Sequence, residues 1–179
     1  MAKGKLMKAI AMIGLSIALL ASNAYAEKGD WRIATGLGSM YLDSEKHGYD
    51  DSGLDTYAVD VQVMYSFSSL LDFSAGYMHG VGGLAERAGQ PIEASMLYLD
   101  THWKLSDGTI KPYFVLGAGL VDVSPEAGKQ TPSVRGGFGV MHQLNDDLDI
   151  NFSYVASSAS VEDAGMESMT TLGVVYTFR

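Results

Sequence analysis

The sequence predicts an all-β chain: an eight-stranded antiparallel transmembrane β-barrel, wound as an up-and-down meander, behind a cleaved N-terminal signal peptide. Three observations predict it. Residues 1–26 have the make-up of an export leader. The remainder alternates apolar and polar residues with a period of two in eight segments. Within those segments the charges fall on the face opposite the apolar one.

The leader comes first. Lys3, Lys5 and Lys8 open it, a thirteen-residue apolar stretch runs from Ala9 to Ala21, and Ala24-Tyr25-Ala26 forms an A-x-A cleavage site before Glu27. A helical anchor would need ~20 apolar residues, so the segment reads as cleaved. The domain division is therefore 1–26 signal peptide and 27–179 barrel. Cleavage leaves 153 residues with 9 basic and 21 acidic side chains, a net charge of −12. That charge excludes nucleic acid as a partner, which needs a basic footprint. The absence of cysteine excludes a disulfide scaffold, a cysteine nucleophile and every thiolate metal site. No body segment reaches 18 consecutive apolar residues, so the chain is not a helical membrane protein.

The strands follow in order. The first carries Trp31, Ile33, Leu37 and Tyr41 on one parity, and the second Tyr57, Val59, Val61, Val63, Tyr65 and Phe67. The third shows Leu71, Phe73, Ala75 and Tyr77; the fourth Leu97, Leu99, Thr101, Trp103 and Leu105; the fifth Ile110, Pro112, Phe114, Leu116 and Ala118. Val134, Phe138 and Val140 mark the sixth, Leu148, Ile150, Phe152 and Tyr154 the seventh, and Leu172, Val174, Tyr176 and Phe178 the eighth. The connections alternate in length. Ser68–Leu70, Ser106–Thr109 and Asn145–Asp147 are short, whereas Leu42–Thr56, Gly82–Ile92, Val121–Ser133 and Ser157–Glu167 are long. An even strand number with short turns at one end and long loops at the other is the pattern of a membrane barrel.

A water-soluble sandwich or lipocalin-like barrel would alternate as well; the charges separate the two. Glu93, at a strand end, is the single strand charge on the apolar face. The opposite face holds Arg32, Asp60, Asp72, Asp100, Lys104, Lys111, Arg135 and Asp149, four of each sign. Charges enclosed in a narrow lumen must pair, because an unpaired buried charge costs several kcal/mol. Asp60 and Arg135, both towards the long-loop end, are expected to pair. Gly36, Gly38, Gly76, Gly117, Gly119, Gly137, Gly139 and Gly173 share the charged face, leaving room for long side chains to cross. Aromatic girdles complete the pattern. Trp31, Phe67, Phe73, Trp103, Tyr176 and Phe178 fall towards the short turns, and Tyr41, Tyr57, Tyr77 and Tyr154 towards the long loops.

Ile110-Lys111-Pro112-Tyr113-Phe114-Val115-Leu116-Gly117-Ala118-Gly119 and Leu144-Asn145-Asp146-Asp147-Leu148-Asp149 are the most recognisable segments. On them the chain resembles the small eight-stranded outer-membrane barrels of Gram-negative bacteria, the OmpA-like and OmpX/Ail-like group. The resemblance covers the leader and all of 27–179. It implies residence in the outer membrane among lipids and lipopolysaccharide, no cofactor, and a monomer. Thr170 to Phe178 resembles the aromatic-ended signal read by the barrel assembly machinery, with the departure that Arg179 follows Phe178. The cell-wall-binding domain of full OmpA-type proteins is not in the sequence, so cell-wall anchoring is not expected.

Three function classes follow. The first is a non-enzymatic surface barrel, envelope-structural or acting in adhesion or resistance through its loops. Those loops are acidic: Asp43, Glu45, Asp50, Asp51 and Asp55 against Lys46 in the first, and Glu162, Asp163 and Glu167 in the last. They argue against heparin-like polyanions. Asp50, Asp51 and Asp55 are candidates for a divalent cation shared with lipopolysaccharide phosphates, although their spacing is not that of an EF-hand. The second class is a small channel for hydrophobic or small solutes, as in the OmpW-like branch. The third is a lipid A-modifying enzyme, suggested by the resemblance of the Ile-Lys-Pro-Tyr run to the deacylase branch. That chemistry needs a Ser beside a His. Residues 152–158 offer serines without histidine, and no Ser–His pair is expected among His47, His79, His102 and His142. The sequence therefore points away from an enzyme.

Overall fold

The structure, a computed structural model, describes residues 29–42, 54–83, 86–87, 90–91, 94–123, 130–159 and 166–178. Residues 1–26, expected to be the leader, lie outside the described residues, as do Glu93, Asp50 and Asp51. Eight strands form the wall: β1 (Trp31–Leu42), β2 (Leu54–Ser66), β3 (Leu71–Gly83), β4 (Ala94–Lys104), β5 (Ile110–Val123), β6 (Thr131–Asn145), β7 (Leu148–Ala159) and β8 (Met166–Phe178). Each pairs antiparallel with the next, and β1 pairs with β8 to close the barrel. A two-residue ladder, Glu86–Arg87 with Gln90–Pro91, stands in the β3–β4 connection. It is too short for a period to reveal it in sequence.

Register fixes the size. From Trp31 the paired residues run through Tyr65, Phe73, Thr101, Leu116, Gly136, Ala156 and Ser168 to Tyr41, ten residues further along β1. A shear of ten over eight strands tilts them ~40° and sets a radius of ~8 Å, a bore that side chains can fill. The three short turns are stabilised by their own polar side chains. Ser68 Oγ accepts from Leu70 N (3.3 Å) and Leu71 N (3.1 Å), Ser106 Oγ from Gly108 N (3.1 Å), and Asn145 Oδ1 from Asp147 N (2.9 Å). These are side-chain mimics of a backbone turn, the reason Ser and Asn recur there.

The distribution of burial is inside-out. Leu37 is 69% and Leu99 67% exposed, while Asp72 is 0% and Arg135 2%. Apolar patches beyond a few hundred Å² are rare on soluble monomers; here the apolar surface encircles the barrel, so hydrocarbon covers it. Two polar side chains on that surface are satisfied locally, as lipid demands. The indole N–H of Trp103 donates to Thr101 Oγ1 (3.1 Å), and the Thr101 hydroxyl donates to the Leu116 carbonyl (2.8 Å).

The belt is not level at the long-loop end. Val59 on β2, Leu97 on β4 and Leu120 on β5 carry it upward, all exposed. At matching heights β7, β8 and β1 present Ala156, Ser168, Thr170 and Ser39, which adjoin one another in register.

Candidate functional site

The lumen is the site the fold builds, because the alternation turns one face of every strand inward. At its short-turn end Arg32 bridges two carboxylates, pairing with Asp72 and, at 3.8 Å, with Asp149. Lys104 Nζ lies 3.0 Å from Asp72 Oδ1, and Lys111 Nζ 3.4 Å from Asp149 Oδ1. Towards the long loops Arg135 Nη2 lies 3.2 Å from Asp100 Oδ2. Asp60, at the same level, accepts from Tyr98 Oη (2.5 Å) and Gln62 Nε2 (2.6 Å). The eight charges thus divide into an inner group with one excess cation and an outer group with one excess carboxylate. Their zero sum is a balance between two unbalanced groups.

The direct Asp60–Arg135 pair expected from sequence is not formed; the carboxylate on Arg135 is Asp100. The Arg135 guanidinium lies over the Tyr98 ring, 3.6 Å from its centroid, and Tyr98 reaches on to Asp60. An aromatic ring therefore stands between the expected partners. Parity and height had placed Asp60 and Arg135 at one level, but the choice of partner depends on which side chain crosses the bore.

Two tyrosines are among the lumen residues that sequence reasoning missed. Tyr98 faces Gly76 across the β3–β4 ladder, and Tyr113 faces Gly139 across β5–β6. A Cβ on either glycine would run into the opposing ring. Each tyrosine is fully buried, and Tyr113 Oη donates to Asn151 Oδ1 (2.7 Å). Their inward parity was the available signal, one that the pattern of charges alone does not carry. Six buried methionines fill the remaining gaps, Met64 and Met141 in the inner half and Met40, Met78, Met96 and Met169 in the outer. Flexible thioethers suit so irregular a space.

Between the charge groups runs a neutral polar band. Ser74 Oγ and His102 Nε2 lie 3.1 Å apart, Ser153 Oγ and Thr171 Oγ1 2.6 Å apart, and His102 stacks on Tyr113 at 5.1 Å. The Ser74–His102 contact corrects the expectation that no Ser–His pair exists. It joins β3 to β4, strands whose register the sequence does not specify. It lacks the third member of a triad, since His102 Nδ1 meets no partner, and both side chains are buried. His79 instead faces lipid and stacks on Tyr77, His142 is exposed on the outer face, and His47 lies outside the described residues.

The expected girdle residues all lie on outward-facing positions. Near the short turns, Trp31 packs on Tyr65 (5.2 Å), Phe67 on Phe73 (6.0 Å) and Tyr176 on Phe178 (5.0 Å). Trp103 is half-buried beside Thr101. Tyr41, Tyr57 and Tyr77 are exposed, and Tyr154 stands lower, against Phe138 (5.7 Å). The Asp55 backbone pairs with Tyr41, while its side chain lies outside the described residues, as do Asp50 and Asp51. Among the described residues, no group of three or more His, Asp or Glu is placed to hold a metal ion.

Two spaces accompany these side chains. A 230 Å³ vestibule opens at the short-turn mouth, lined by Arg32, Lys104, Lys111, Asp149 and turn residues. An internal cavity of about 10 Å³ lies beside Asp60, Gln62, Asp100, His102 and Arg135.

No family model matches the sequence, nor does any curated protein. Solved structures do match the fold. Neisserial surface protein A superposes with a TM-score of 0.69 at 12% identity, over 85% of this chain and 100% of its own. The fold is that of the small outer-membrane β-barrels. The same outer-membrane barrel fold recurs in the N-terminal domain of Pseudomonas aeruginosa OprF, with a TM-score of 0.58 at 15% identity, over 84% of this chain and 100% of that one. Yersinia pestis Ail, in complex with the heparin analogue sucrose octasulfate, gives 0.55 at 18% identity, over 85% and 100%. At such identities the outer-membrane barrel fold carries over as strand number, pairing and closure.

Proposed function

We propose that this chain is a non-enzymatic integral protein of the outer membrane, a closed barrel that holds long acidic loops at the surface for an envelope-structural or surface-interaction role in adhesion or resistance. The observation that carries the reading is the filled lumen. Two buried ion-pair groups, two tyrosines seated against glycines and six methionines occupy the bore. Such a barrel supplies rigidity and a fixed loop platform, with lipids and lipopolysaccharide as its surroundings and the barrel assembly machinery as its partner in biogenesis. The burial of Ser74 and His102 supports a non-enzymatic role, because neither side chain meets a lipid substrate. The acidic first and last loops disfavour a sulfated ligand such as the heparin analogue in the Ail complex.

The vestibule at the short-turn mouth favours a second reading, a small-solute channel whose short-turn entrance is already open. Single-channel recording in planar bilayers separates the two. A closed scaffold gives a flat baseline, and steady unitary openings would establish the channel instead.

A further inference from the structure

We infer that the internal cavity is a binding site for one water molecule, held jointly by Gln62, Asp100, His102 and Arg135. All four side chains line the cavity, all are more than nine-tenths buried, and each brings one polar atom without a protein partner. Those atoms are Gln62 Oε1, Asp100 Oδ1, His102 Nδ1 and Arg135 Nε.

The neighbouring bonds decide what each atom offers. Gln62 turns its amide nitrogen to Asp60, which leaves Oε1 as an acceptor. Asp100 gives Oδ2 to Arg135, leaving Oδ1 as a second acceptor. Arg135 directs Nη2 to Asp100 and Nη1 to Met96 Sδ, so Nε–H is a donor. His102 engages Ser74 through Nε2. With the Ser74 hydroxyl donating there, Nδ1–H becomes the second donor. Two acceptors and two donors match the hydrogen-bonding capacity of water, and a buried site of about 10 Å³ holds about one such molecule.

Ions fit less well. A cation would face Arg135 Nε–H, which cannot ligate it, and an anion would face the carboxylates of Asp60 and Asp100, which line the same cavity. The water joins three hydrogen-bonded sets, Ser74–His102, Gln62–Asp60–Tyr98 and Asp100–Arg135, the last two already touching where Arg135 lies over Tyr98, into one network across the middle of the barrel. This site does not depend on whether the barrel conducts.

Two measurements on the folded full-length barrel in detergent test it. Crystals grown in sodium chloride and in rubidium chloride should both show one peak in the cavity, within hydrogen-bonding distance of at least three of the four atoms and without rubidium anomalous signal. An empty cavity, a peak held by fewer atoms or a rubidium signal would overturn the assignment. Nitrogen-15 NMR of His102 should report the neutral ring with the proton on Nδ1; a proton on Nε2 in its place would remove the second donor and refute the scheme.

Discussion

At the scale of single residues the lumen is a problem of partnership. Removing one member of a buried ion pair leaves an uncompensated charge and costs ~3–5 kcal/mol. Asp100→Asn and Arg135→Gln should each be strongly destabilising in denaturant unfolding, with a coupling energy above ~1 kcal/mol in the double-mutant cycle. The cycle of Asp60→Asn with Arg135→Gln should couple more weakly, because the Tyr98 ring intervenes. Equal coupling in both cycles would show that Tyr98 does not separate them. A second test concerns Gly76. An added methyl meets the Tyr98 ring, so Gly76→Ala should destabilise, and less so when combined with Tyr98→Ala. Which residues face inward was legible from parity alone: all eight charged positions were named from it. Their partners were not legible. Tilt brings residues distant in sequence to one height, and a tyrosine between two charges leaves no trace in periodicity.

At the scale of the strand, alternation translates directly into depth and face. Val61 is exposed on β2 near the middle of the belt. Val61→Arg should therefore lower the unfolding free energy by ~2–4 kcal/mol in bilayers, the cost of a cation in the membrane midplane. Asp107→Ala in the exposed β4–β5 turn should shift it by less than ~0.5 kcal/mol. Comparable losses at both positions would mean that the faces are misassigned. All eight strands were legible because each repeats its pattern over at least four residues. The extra ladder at Glu86–Arg87 was not, being shorter than one full alternation. The Ser74–His102 contact was hidden for a different reason, since it depends on the β3–β4 register, set across a long connection rather than a tight turn.

At the scale of the whole molecule, closure makes the barrel resistant to detergent, because no strand edge is left to open. Unheated protein should migrate on a detergent gel at a mobility distinct from the boiled sample, and an unchanged band would count against a closed barrel. Closure was implied in sequence by the even strand number, while the shear of ten emerged only from register. The uneven upper edge of the belt has its own consequence, for the bilayer. Beside β7, β8 and β1 the hydrocarbon-facing surface ends roughly 5 Å lower than beside β2, β4 and β5, about two residues of strand at this tilt. Lipid must thin there, or the barrel must lean, since each ångström of mismatch carries a fraction of a kcal/mol. The lack of cysteine makes this measurable with single labels at Ser39→Cys and Val59→Cys, which stand at nearly equal heights on adjacent strands. A water-soluble paramagnetic reagent should reach the label at 39 more readily than the one at 59. Equal accessibility would mean a membrane that ignores the notch, whereas unequal accessibility would make the β1–β8 seam the place where this protein deforms the sheet of lipid around it.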